Sequence, residues 1–186
     1  MIRDEEIMLK GELYIPSRDL IAIIVENKKI VDEFNRADLT DFEKRDEILR
    51  RMLDIEEDAR VFVYSPFYCD YGKHIHIGDG SFINHGCIIL DEANVFIGKD
   101  VRIAPNVGIY TVGHQEEIEP RRQGYEYAKT VTIEDNVWIG GHSCILPGVT
   151  IGENSIIGAG SVVRKDIPKN VVAAGNPCRV IRELTK

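Results

Sequence analysis

The sequence offers little from which to build a disulfide or a metal site. Its four cysteines, Cys69, Cys87, Cys144 and Cys178, form no CxxC pair and no zinc-like cluster, so no metal is expected. Cys87 and Cys144 read as small reduced core residues. Long apolar runs are missing as well. No stretch approaches the roughly 18 residues of a membrane span. The opening Met1-Ile2-Arg3-Asp4-Glu5-Glu6 has no apolar segment behind its charges, unlike a secretory signal. No membrane partner is expected, and the expected location is the cytoplasm. Positive charge is scarce: 23 Lys+Arg stand against 31 Asp+Glu, a net charge of −8, which argues against a nucleic-acid partner.

What cationic charge exists is unevenly placed. Residues 1–60 and 61–160 are each acidic, with 11 Lys+Arg to 17 Asp+Glu and 6 to 12. Residues 161–186 carry 6 Lys+Arg and 2 Asp+Glu, a net +4. A basic end on an acidic chain is either a solvated face or an anion site.

The second half repeats. Ile77, Ile83 and Ile89 are six apart, as are Ile97, Ile103 and Ile109, then Ile133, Ile139, Ile145, Ile151, Ile157 and Val163. These make twelve hexads. The fifth position is small or β-branched (Ser81, Cys87, Val101, Val107, Ser143, Ser155, Ser161), and glycine often follows the aliphatic residue, as at Gly78, Gly98, Gly140, Gly152 and Gly158. A two- or three-residue strand followed by a sharp corner puts one aliphatic side chain inward per hexad. Three such faces close a coil, and coils stack about 4.8 Å apart. Twelve hexads predict four complete turns of an all-β parallel β-helix. An amphipathic helix would need apolar residues at i, i+3 and i+4, which the hexads do not supply.

Residues 1–60 read differently. Asp19 to Asn35 and Asp41 to Met52 are charged and periodic, predicting two amphipathic helices. Thr40 is the expected cap of the second, with Glu43 completing a capping box. Residues 61–168 are assigned to the β-helix, beginning with an irregular coil over 61–76, and 169–186 to a tail packing back on it. The gap from Ile109 to Ile133 is 24 residues, a multiple of six, so the coil register survives and 110–132 leave the wall as a loop. A loop of this length in a compact domain is usually functional or disordered. His114 stands where it leaves, and imidazole is the side chain that exchanges protons near neutral pH. His74, His76, His85 and His142 are left as structural.

Several runs carry a closer likeness: Gly113-His114, Val137-Trp138-Ile139-Gly140, Ile157-Gly158-Ala159-Gly160, Lys165-Asp166-Ile167-Pro168 and Ala173-Ala174-Gly175-Asn176-Pro177-Cys178-Arg179. With Asp70-Tyr71-Gly72 and Gly11-Glu12-Leu13-Tyr14 they extend over nearly the whole chain. The sequence thus resembles the hexapeptide-repeat O-acetyltransferases of the maltose, galactoside and nodulation-factor family. The resemblance implies a left-handed coil and a homotrimer with sites between subunits. It implies acetyl-CoA as co-substrate, a sugar or glycoside hydroxyl as acceptor, and His114 as general base. Asn84 becomes a candidate for stabilising the oxyanion and touching the acceptor; otherwise it is a corner residue with a left-handed backbone. Asp70, Asp91, Glu92 and Glu126 become candidate acceptor ligands. Trp138, Gly140, Gly141, Ala159, Arg164, Lys165, Arg179 and Arg182 become candidate CoA contacts, which gives the basic end its anion.

The chain departs from that family near the acceptor. Ile15-Pro16-Ser17-Arg18 stands where an acid usually follows Tyr14, Ile24 where an arginine is common, and Gln115 where a proline commonly follows the histidine. A xenobiotic or envelope-glycan acceptor, or a non-catalytic scaffold, are the rival readings. A carbonic anhydrase on the same coil would need two further histidines near His114, which the sequence does not provide.

Overall fold

The computed structural model describes residues 3–185; Met1, Ile2 and Lys186 lie outside it. Three helices come first: α1 (Arg3–Leu9), α2 (Arg18–Arg36) and α3 (Phe42–Met52). The first was not foreseen. It is short and buries only Met8. Ser17 caps α2, its side chain accepting from the Leu20 N–H. The cap of α3 is Asp41 and not Thr40: the Asp41 carboxylate accepts from the Lys44 N–H, while Thr40 donates to Asp38. A carboxylate is the stronger cap because it also meets the positive helix end.

The coil begins inside the segment assigned to helices. Turn one holds β1 (Asp54–Ile55), β2 (Phe62–Val63) and β3 (Phe67–Cys69). Turn two holds β4 (Ile75–Ile77), β5 (Phe82–Ile83) and β6 (Cys87–Leu90), and turn three β7 (Val95–Ile97), β8 (Arg102–Ile103) and β9 (Gly108–Tyr110). The loop follows as β10 (Val112–His114), α4 (Ile118–Arg122) and β11 (Glu126–Ala128). Turn four is β12 (Val131–Ile133), β13 (Trp138–Ile139) and β14 (Cys144–Ile145); turn five is β15 (Thr150–Ile151), β16 (Ile156–Ile157) and β17 (Val162–Val163). A sixth turn starts with the Ile151–Ile167 bridge and β18 (Val171–Ala174), and β19 (Arg179–Glu183) folds back antiparallel on β18. The wall therefore has five full turns and part of a sixth, against the four that the hexads predict. The additional turns use Val63, Cys69, Ile167 and Ala173 inward, too irregular in spacing to count as hexads.

Three parallel faces result. The first stacks β1, β4, β7, β12 and β15; the second β2, β5, β8, β13, β16 and β18; the third β3, β6, β9, β14 and β17. Register keeps each aliphatic column aligned, with Ile77 on Ile97 and Ile83 on Ile103. All twelve hexad aliphatics are at most 3% exposed. Fully burying each stabilises the fold by about 1.5–3 kcal/mol. The corners explain the small residues. A Cβ on Gly140 would lie 2.5 Å from the Ala159 nitrogen of the next turn, so stacked corners leave no room for a side chain. The Ser143 hydroxyl donates to the Gly140 carbonyl at 2.7 Å, and that of Ser81 to the Gly98 carbonyl at 2.7 Å. Cys87 is buried as expected, but Cys144 faces outward and is half-covered, because Ile145 takes the inward position of that short strand. All four cysteines are free.

A second, smaller core lies outside the coil. Met8, Tyr14, Leu20, Tyr71, Ala93 and Ala128 pack together and seat the N-terminal segment on the edge where the loop emerges. No helix among the described residues is long and apolar enough to cross a membrane.

Candidate active site

The sequence-predicted residues fall on two different edges of the prism. At the edge joining the third face to the first, Asp70 follows β3, Asp91 and Glu92 follow β6, and the loop leaves after β9. The Thr111 hydroxyl locks this column: it donates to the Leu90 carbonyl at 2.8 Å and accepts from the Ala93 N–H at 2.9 Å. The loop is not structureless. Its two limbs pair as an antiparallel ribbon in which His114 lies opposite Glu126.

His114 is therefore held by strand pairing at its backbone while its side chain stays 61% exposed. Its Nδ1 lies 3.8 Å from Oε1 of Glu126, inside ion-pair reach but beyond a hydrogen bond. The other oxygen of Glu126 accepts from the Tyr14 hydroxyl at 3.0 Å. Tyr14 is buried, and burial, followed by the Glu126 charge, pushes its phenol above the usual range, so the hydroxyl stays a donor. Glu126 is a candidate acceptor ligand, and its carboxylate also reaches Tyr14 and His114.

The same edge holds a cluster of acidic side chains. Asp91 is fully buried, and its Oδ1 accepts from the Asp70 and Tyr71 N–H groups at 3.0 and 2.9 Å. Burial raises its pKa against those two bonds and the nearby His74. Burial, then the neighbouring Asp70 charge, pushes Glu92 up to about 9, so it is uncharged at neutral pH. Asp91 Oδ2 and Glu92 Oε2 have no hydrogen-bond partner among the described residues. The His74 ring packs against the cluster, 2.6 Å from the Asp91 carbonyl through Nδ1 and 3.3 Å from Glu5 through Nε2. Asp70 is paired with Lys28 at 2.8 Å. Lys28 stands one helical turn after Ile24, so a cation reaches this edge from a neighbouring position on the same helix face. Asp19 is an exposed residue of the first turn of α2.

The edge joining the second face to the third carries Asn84 and the small corner residues. Asn84 follows β5, Gly140 and Gly141 follow β13, and Ala159 follows β16, one above another. Asn84 is not among the residues with a left-handed backbone; Gly86, with φ 77°, takes that turn, so the corner-residue alternative fails. Its side-chain oxygen accepts from the His85 N–H at 2.8 Å, leaving the amide N–H groups to point elsewhere. Trp138 projects outward from β13 and is 53% exposed. Arg164 and Lys165 are exposed after β17, on the edge joining the third face to the first, two turns beyond the loop, and Arg179 and Arg182 are exposed on β19. None of these four cations makes an ion pair among the described residues. Exposed cations without carboxylate partners fit a polyanionic ligand.

His74 and Tyr14 were missed as members of the site by sequence reasoning. The Gly11-Glu12-Leu13-Tyr14 run was the available signal for Tyr14; for His74 no signal existed, since its partners lie 17 and 69 residues away.

Known proteins match along the whole chain. A family pattern described as a bacterial transferase hexapeptide (six repeats) matches residues 130–165, and a maltose acetyltransferase hexapeptide capping motif matches residues 7–54. The galactoside O-acetyltransferase of Escherichia coli K12 is 48% identical over 161 residues, covering 86% of this chain and 78% of that protein. The crystal structure of a maltose O-acetyltransferase from Clostridium difficile 630 superposes with a TM-score of 0.94 at 44% identity, covering 100% of this chain and 99% of the other. A hexapeptide-repeat acetyltransferase from Vibrio cholerae O1 biovar eltor, crystallised with acetyl coenzyme A, gives 0.89 at 35% identity with 100% of both chains covered. With a coil of stacked hexads, a capping segment and near-complete coverage at these identities, the chain belongs to the acetyl-CoA-dependent O-acetyltransferases of the maltose and galactoside family.

Proposed function

We propose that this protein moves the acetyl group of acetyl-CoA to a hydroxyl of a sugar or glycoside, with His114 as general base. The observation that carries the reading is the pairing of an open His114 with Glu126 at the root of the loop. Glu126 faces Nδ1 and favours the tautomer with its proton there, which leaves Nε2 as a free acceptor. In the reaction Nε2 takes the proton of the acceptor hydroxyl as its oxygen attacks the thioester carbonyl. The tetrahedral intermediate collapses by breaking the C–S bond, and the imidazolium returns its proton to the departing thiolate. A donor must meet the oxyanion as it forms, a role suited to the Asn84 amide N–H. Apo contacts of this kind are often long and tighten only with substrate present.

The acidic cluster suits polyol recognition. Glu92 is uncharged and can donate, while Asp70 accepts. Adjacent sugar hydroxyls, each both donor and acceptor, satisfy such a pair. Arg164, Lys165, Arg179 and Arg182 meet the CoA phosphates, with Trp138 and the Gly140, Gly141 and Ala159 backbone along its length.

The same reading requires an assembly. His114 and Asn84 stand on edges separated by the third face, whose strand Cys87–Leu90 spans about 13 Å at about 3.3 Å per residue. A site using both takes one edge from each of two chains, and closing the ring of such heterologous contacts gives the proposed homotrimer. A cytoplasmic location belongs to the same proposal. The test is thiol release from acetyl-CoA with maltose, glucose and galactosides, in native protein and in His114→Ala. Acceptor-dependent release that falls by about 10²–10⁴ in the variant is expected. Equal release by both would remove His114 as the base.

A further inference from the structure

We infer that Tyr14 is a positioning residue for the transfer: from the N-terminal capping segment it holds the Glu126 carboxylate against His114. The inference rests on the reading of His114 as the base.

Three bonds join Tyr14 to Glu126. The Tyr14 N–H donates to the Glu126 carbonyl at 3.1 Å, and the Glu126 N–H returns a bond to the Tyr14 carbonyl at 2.8 Å. The phenol hydroxyl then donates to Oε2 of the same residue at 3.0 Å. Tyr14 thus adds a bridge to the free side of the loop ribbon, so the ribbon that carries His114 is bounded by the capping segment. The ring is anchored rather than adaptable. It is 6% exposed and packs with Met8, Leu20, Tyr71, Ala93 and Ala128, drawn from α1, α2, the coil edge and the loop.

The consequence for Glu126 is geometric. A glutamate on a two-stranded ribbon has three side-chain torsions and no reason to face its cross-strand neighbour. With Oε2 held by the phenol, Oε1 is left on the side of His114 Nδ1. A hydroxyl is required because an apolar ring would fill the same space and leave the carboxylate free to turn to water. The phenol is also shielded from losing its proton, by burial first and by the Glu126 charge second. An outer residue that orients the partner of a reacting imidazole acts through tautomer and ring orientation, not through contact with substrate.

The experiment compares native protein with Tyr14→Phe, Glu126→Gln, the double variant and His114→Ala. It uses acetyl-CoA with whichever of maltose, glucose or methyl galactoside turns over fastest. In parallel, long-range ¹H–¹⁵N NMR of labelled histidine reads the His114 tautomer in the free protein. Tyr14→Phe keeps the packed ring. It is expected to lower kcat about tenfold, a part of the about 10²–10⁴ that a general base contributes, and to leave the acetyl-CoA KM within about twofold. The double variant should lose no more than Glu126→Gln alone, since both break one linkage. The Nδ1–H form should dominate in native protein and give way to Nε2–H in both single variants. Unchanged kcat and tautomer in Tyr14→Phe would overturn the inference. So would losses that add in the double variant with a lowered melting temperature and an unchanged tautomer, since Tyr14 would then only brace the cap. Should His114→Ala retain full activity, or no acceptor turn over, the base reading falls, and the tautomer shift alone still decides whether Tyr14 sets Glu126 against His114.

Discussion

Glu92→Gln separates burial of a carboxyl from burial of a charge. In the folded protein the Glu92 carboxyl is moved from its ordinary 4.5 to about 9, because it is buried and faces Asp70. The folded state therefore holds a proton that the unfolded state releases anywhere between those two values. Stability is fully present below pH 4.5 and declines as pH rises toward 9. One unit is worth about 1.4 kcal/mol, so about 3 kcal/mol is forfeited between pH 5 and pH 7 if the shift is expressed in full. Glutamine fills the same space and has nothing to ionise. The variant should gain on the native protein by that amount over the interval, a relative rise of about 6–12 °C in Tm for a chain of this size. Thermal melts at pH 5, 6, 7 and 8, at one fixed protein concentration, read the difference directly. A gap between variant and native that stays flat across the four values would refute an uncharged Glu92. The amide also keeps a donor, so the acceptor KM should change little in Glu92→Gln.

Arg179→Ala combined with Arg182→Ala should raise the acetyl-CoA KM and spare the acceptor KM, because these exposed cations have no carboxylate partner; steady-state kinetics in both substrates checks it, and an unchanged acetyl-CoA KM would remove the anion site. Asn84→Ala should lower kcat by about 10²–10³ with little change in Tm, as loss of an oxyanion donor does, and a loss of less than about twofold would leave the oxyanion to backbone N–H groups alone. Ile139→Ala, in the middle turn of the second face and 0% exposed, should cost about 2–5 kcal/mol in chemical denaturation, whereas a cost below about 1 kcal/mol would mean the coil collapses around the cavity.

The hexads were legible because their physics is local. The aliphatic residue that opens each hexad must face inward wherever three short strands close a coil, so twelve positions and the surviving register across the loop could be read without coordinates. The first and last turns were harder, since Val63, Cys69 and Ala173 keep the inward geometry with corners of other lengths. The cap of α3 was misplaced by one residue because Thr40 and Asp41 both carry cap side chains, and the choice depends on which backbone bends. In the site, His114 was found from its place at the root of a loop. Glu126 was named only as an acceptor ligand; its place opposite His114 comes from the hairpin pairing of the loop.

The sequence by itself determined the coil, the break in it and the location of the basic end, since these follow from a period, an interruption and a count of charges along the chain. Only the tertiary structure decided which polar groups meet. It drew Tyr14 to Glu126 across 112 residues and His74 to Glu5 across 69. It buried Asp91 and Glu92 beneath the capping segment, and it set His114 and Asn84 on separate edges. Those outcomes depend on how the helical cap docks on a finished coil, and the free energy of that docking comes from side chains far apart in sequence, so no local pattern encodes it.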